Sequence, residues 1–234
     1  MSNETVKTKQ KVEIQDKFFY KLFLGAYAIL VNNLFLIVMG LPLITALFLA
    51  RKNVIMFASI LIIASVYCQA LVSILFQLTQ KFFYQHETVF FMKTVGLIKE
   101  QFSQEKLLWY LTLSSLTGIL LADFSYIRTH FGILLTIPVV VVLVLIFFIS
   151  LGVQILVANA IKLPTFKEKV TWGFYYTIRH FPLFLASLIL LVLVWTTFEW
   201  NPLFAILFLP SSYTAVVLFI NRSFVAKLKT TAKF

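Results

Sequence analysis

Six long apolar runs, almost free of charge, decide what this chain can become. They cover residues 22–43, 54–78, 107–127, 131–161, 182–198 and 203–220. A helix needs about 20 apolar residues to cross the hydrocarbon of a bilayer. Inside lipid the backbone must satisfy its own hydrogen bonds, which selects helices over open strands. Hydrophobic residues make up 61% of the chain and charged residues 12%, about half the charged share of a soluble domain. Lipid can solvate such a surface and water cannot. The pattern predicts an all-α polytopic helical bundle with six transmembrane helices. A polar tail (1–21) and a basic tail (222–234) flank a single membrane domain (22–221). Merging the last two runs into one span would bury Glu199, Trp200, Asn201 and Pro202 together, at a cost to the carboxylate.

The cations are sorted along this frame. Lys7, Lys9, Lys11, Lys17 and Lys21 precede the first span, and Lys81, Lys93, Lys99 and Lys106 lie between the second and third. Lys162, Lys167, Lys169 and Arg179 lie between the fourth and fifth, and Arg222, Lys227, Lys229 and Lys233 follow the sixth. The other side holds only Arg51, Lys52 and Arg128. Loops rich in Lys and Arg stay in the cytoplasm, so both termini are expected there, and the bilayer is the first partner. The net charge of +11 does not point to nucleic acid, because no polar domain carries the cations as one face. They suit an anionic leaflet. The polar start, with its five lysines and three acids, is not read as a secretory signal.

Two connections on the basic side are amphipathic. In 79–106, Phe91, Val95, Ile98 and Phe102 recur at helical spacing; in 162–181, Phe166, Val170, Phe174 and Ile178 do the same. Each predicts a cytoplasmic helix that braces the bundle at the interface or docks a partner. Those eight residues are the candidate docking positions. The outer connections are too short to build a capture domain.

Chemistry is sparse. Cys68 is the only cysteine and lies inside an apolar run, where a thiol is expected to pack. Scattered His86, His130 and His180 do not form a metal set. No catalytic, cofactor or metal motif occurs, and the expectation is no enzyme. Asp123 is the one acid within a span, near its outer end and close to Arg128. With Asn33 these form the candidate polar or transport site. The first span has Asn33 nine residues before Pro42, and the sixth echoes this with Asn201 and Pro210. Broken helices in matching positions can mark a transporter's binding site. Gln69, Gln77, Gln154 and Asn159 are expected to hydrogen-bond between helices.

Asn33-Leu34-Phe35 through Leu41-Pro42-Leu43-Ile44-Thr45 resembles the N-L-x-W/F…P-x-x-T signature of the YesL-like family of bacterial membrane proteins. Phe18-Phe19 before it resembles that family's Phe-rich start. Phe90-Phe91 to Phe102, with Gln104, resembles its Phe-rich cytoplasmic segment, which leads into a span ending near an acid, here Asp123. Phe35 stands where a Trp is common, and the second half matches by topology rather than residues. The resemblance implies a bacterial plasma-membrane protein with no established activity, often associated with sugar import and glycan degradation. The expected function is a non-enzymatic accessory protein of carbohydrate uptake, with ABC-type sugar-importer subunits as partners. The alternative is a stand-alone small-solute transporter or channel. The oligomeric state is left open.

Overall fold

The computed structural model describes residues 23, 25–42, 45, 54–85, 91–163 and 165–231. Among them there is no strand. The helices are α1 (Gly25–Pro42), α2 (Val54–Gln85), α3 (Phe91–Gln101), α4 (Gln104–His130), α5 (Ile137–Ala158), α6 (Phe166–Arg179), α7 (Phe181–Trp200) and α8 (Pro202–Thr231). A 3₁₀ turn at Ile133–Thr136 leads into α5. Six of these helices are long and apolar enough to cross a membrane: α1, α2, α4, α5 with its leading turn, α7 and α8. The chain is therefore an all-α, multi-pass membrane bundle.

The last two spans are separate helices. Asn201 breaks the chain with an extended backbone, and its side-chain oxygen accepts from the Phe204 amide at 3.1 Å, capping α8. Pro202 follows at the first helical position, where its missing N–H costs nothing. Glu199 stays at the helix end, its carboxylate accepting from the Trp195 indole at 2.7 Å.

Packing is concentrated in one half of the bundle. The buried residues of α5 run from Phe148 to Ala158, all in its second half. α4 buries Trp109, Tyr110 and Leu113 near its start, and α7 buries Phe184 and Ser187 near its start. With Tyr176 of α6 and Val217, Leu218 and Val225 of α8, these form the main core. A smaller cluster joins Leu71, Ile74 and Leu78 of α2 to Leu97 of α3, with Phe35 and Met39 of α1 against it. The other ends of α4, α5 and α7 present exposed Leu121, Val141, Leu145, Val192 and Leu193. The tightly packed half is the one flanked by most of the lysines and arginines.

Element boundaries differ from expectation on the basic side. The segment 79–106 is not one helix. Its first residues continue α2 to Gln85, and Gln104–Lys106 already belong to α4. α2 outlasts its apolar run because its polar end finds tertiary partners. Gln80 Nε2 donates to Asn159 Oδ1 at 3.1 Å, and Tyr84 Oη donates to the Ala215 carbonyl at 2.8 Å. α8 likewise continues through the basic tail to Thr231. Cys68 is exposed rather than packed. Residues 43–50, after Pro42, lie outside the described residues except for Thr45.

Candidate functional site

The three residues of the expected polar site do not converge. Asp123 and Arg128 are both exposed on α4, and no ion pair joins them among the described residues. Asn33 is fully buried and engaged elsewhere. Its Nδ2 donates to the Leu207 carbonyl at 2.7 Å, and its Oδ1 accepts from the Ser211 amide at 3.0 Å and the Ser211 hydroxyl at 2.6 Å. Leu207 and Ser211 are one helical turn apart and bracket Pro210. A proline ring inside a helix crowds the preceding turn and removes a donor. The Asn33 amide is inserted at that weakened turn and serves both of its ends. The sequence echo between α1 and α8 thus falls where the two helices are bonded to each other. Gln69 and Asn159 do link helices: Gln69 Nε2 donates to Ser114 Oγ at 2.8 Å, and Asn159 takes the Gln80 bond.

α6 is seated on a mixed face, with Lys167, Thr171 and Arg179 left exposed. Thr165 and Glu168 form a reciprocal capping box at its start, each side chain accepting from the other residue's amide at 3.2 Å. Lys169, Gly173, Tyr176 and Thr177 turn into the bundle. A Cβ added to Gly173 would stand 2.9 Å from Val153 Cγ2 and 3.0 Å from the Ile149 carbonyl oxygen. Only a hydrogen there lets α6 lie this close to α5. Tyr176 Oη donates to Asn221 Oδ1 at 3.0 Å, tying α6 to α8; burial raises its pKa above the ordinary tyrosine range. The predicted stripe of Phe166, Val170, Phe174 and Ile178 is exposed along the outside of the helix. The other predicted stripe is used differently. Ile98 packs against the smaller core, Phe102 is exposed just beyond α3, and the side chains of Phe91 and Val95 are outside what is described.

Behind α6 lies a cavity of about 430 Å³ between α3, α4, α5 and α6. Its polar lining includes Glu100, Gln101, Glu105, Lys106, Lys162 and Lys169. Lys169 is only 5% exposed, and its ammonium reaches the Glu105 carbonyl at 3.5 Å. Burial pulls its pKa below the ordinary lysine value; Glu105 draws it back up and Lys106 pushes it down. Lys106 is paired with Glu100 at 2.7 Å. The Gln101 carbonyl end accepts from Tyr110 Oη at 2.8 Å, whereas Gln101 Nε2 and Trp109 Nε1, both buried in the lining, have no partner among the described residues. This site is not legible in the sequence because its residues come from five helices and the loop after α5 and follow no local spacing. Ala160 closes one wall with φ +63°. It ends α5 in a Schellman turn: the Ala160 amide donates to the Val157 carbonyl and the Ile161 amide to the Leu156 carbonyl.

No group of three or more His, Cys, Asp or Glu side chains suited to a metal occurs among the described residues. No family model matches this chain, and neither curated proteins nor solved structures contain a significant match.

Proposed function

We propose that this chain is a non-enzymatic accessory protein of the bacterial plasma membrane. In this reading both termini face the cytoplasm, and a membrane partner is engaged through α6. The observation that carries it is the exposed apolar stripe of α6. Lys169, Gly173, Tyr176 and Thr177 seat the helix against the bundle, and Phe166, Val170, Phe174 and Ile178 form an exposed apolar stripe, flanked by exposed Lys167, Thr171 and Arg179, on a capped helix. An apolar stripe at helical spacing, mounted on a brace, suits docking against another membrane protein. The kind of partner comes from the resemblance to the YesL-like family, which makes subunits of an ABC-type sugar importer the first to test. The cytoplasmic placement rests on the sorting of lysine and arginine. The transporter alternative needs Asp123, Arg128 and Asn33 on one pathway, and Asn33 has both polar atoms engaged in the α1–α8 contact.

A photoreactive amino acid at Phe174 or Ile178, activated in native membranes, tests the docking face. The expected product is a cross-link to an importer subunit, with reduced glycan uptake in a deletion strain. Cross-links to lipid alone, with unchanged uptake, would overturn the reading. Reporter fusions placing either terminus outside the cell would overturn the orientation.

A further inference from the structure

We propose that the cavity between α3, α4, α5 and α6 binds a singly charged phosphate ester through the unpaired N–H groups of Trp109 and Gln101 and the ammonium of Lys169. The inference is independent of any partner on the outer face of α6.

The donors define the ligand. Trp109 is 2% exposed and its indole nitrogen can only donate; Gln101 is 0% exposed and its acceptor is already taken by Tyr110. Buried donors are nearly always satisfied, and leaving one bare is unfavourable. Both bare donors belong to residues that line the cavity, so an acceptor seated there is the partner their side chains can turn to. Lys169 adds a third donor, whose hydrogen bond to the Glu105 carbonyl is a long one. Such a set repels a cation and welcomes an oxyanion.

The charges set its valence. Lys106 is balanced by Glu100 in their ion pair. Lys162 and Lys169 then stand against Glu105 alone, which leaves one positive charge in the lining. A phosphodiester carries one negative charge and matches it. A dianionic monoester would be left with an uncompensated charge beside Glu105.

The walls and the position fit a headgroup. Val153, Val157, Ile161 and Leu163 make the remaining lining largely apolar. The Trp109 ring meets Phe166, the first residue of α6, edge-on at 5.4 Å between centroids. Trp172 and Tyr175 lie on the same helix, and Trp and Tyr favour the headgroup level of a membrane. The volume exceeds that of a single ordered water, about 30 Å³.

The same phosphodiester can come from an anionic phospholipid or from a soluble ester, and the test separates them. The purified full-length chain in neutral detergent is examined by native mass spectrometry. The probes are phosphatidylglycerol, phosphatidylcholine and glycerophosphoglycerol, the last being the first lipid's headgroup without acyl chains. Phosphatidylcholine carries the same phosphodiester, but its choline cation would meet the lysines of the lining, so phosphatidylglycerol is expected to bind about tenfold more tightly. Trp109→Phe keeps the ring and removes only the N–H, and Lys169→Met removes the charge; each should reduce that preference at least about threefold. Lys99→Met, on the exposed side of α3, should leave it intact. Displacement of the lipid by glycerophosphoglycerol assigns the site to soluble esters as well, and failure to displace assigns it to lipid. The proposal is overturned if the wild type retains both lipids equally and ignores glycerophosphoglycerol, or if both variants keep the full preference. Trp109→Phe carries the test should Lys169→Met not fold.

Discussion

Ala160 is the one non-glycine residue with positive φ among the described residues. In that left-handed conformation the Cβ crowds the backbone by about 1–2 kcal/mol, and glycine avoids this while adding chain entropy to the unfolded state. Ala160→Gly should therefore stabilise the protein by about 0.5–1 kcal/mol, measured as a raised Tm in detergent. His180 sits at the junction of α6 and α7. It is buried, with its ring centroid 3.8 Å from that of Phe224. Burial, and then the neighbouring Arg179, lower its pKa. A depressed imidazole stays neutral in the folded state while the unfolded chain protonates near pH 6.5, its ordinary value. The unfolded state then binds more protons, so stability is full above about pH 6.5 and falls on acidification through the folded pKa. Thermal unfolding between pH 7.5 and 5 should show this loss, and His180→Phe should flatten that component. Neither residue advertised its setting in the sequence. A lone Ala and a lone His have no periodicity, and their environments are set by a helix end and by α8. Asn33 was legible as a polar residue in an apolar span, but its partners lie 174 and 178 positions away.

At the level of the helix, α6 shows how much a local pattern can reveal. Four-residue spacing was enough to predict the exposed stripe from Phe166 to Ile178. Thr165-x-x-Glu168, a capping signature, was equally present and marks the start of the helix. Gly173 belongs to no such pattern, and its role is contact. With Val153 and the Ile149 backbone already at the edge of a Cβ position, Gly173→Leu has to push α6 off α5. Overpacking of this kind typically costs about 1–3 kcal/mol. Since α6 also forms one wall of the cavity, the variant should lose thermal stability and phosphatidylglycerol preference together, whereas Gly118→Ala, in open space on α4, should change neither. The boundaries of α2, α3 and α4 were less legible. Hydropathy falls at Leu78, but Gln80 and Tyr84 hold the helix through distant partners, and polar residues with tertiary bonds look like loop residues in a sequence.

Across the whole bundle, the number and separation of spans followed from apolar length, since lipid leaves a backbone few choices. The distribution of packing did not follow, because Leu and Val facing lipid and Leu and Val facing a neighbouring helix are the same letters. The core gathers at one end of α4, α5 and α7. Truncations should feel that difference. Phe148→Ala, in the main core, should cost about 3–5 kcal/mol, whereas Val141→Ala, exposed on the same helix, should stay within about 0.5 kcal/mol. Reversible unfolding in mixed micelles measures both. Equal losses would mean that the exposed half is covered by another protein chain in the membrane.

The bond between α1 and α8 carries a consequence for biogenesis. When α1 enters the bilayer, the amide of Asn33 has no Leu207 or Ser211 to meet, since Ser211 lies 178 residues further along. Synthesis at about 5–20 residues per second puts roughly 10–35 seconds between them. Through that interval the nascent first helix carries an unsatisfied amide in lipid, and so does α8's proline turn once it arrives. Each relieves the other when they meet. A helix made well before its partner thus settles only once that partner arrives, and during translation it has reason to linger beside the insertion machinery.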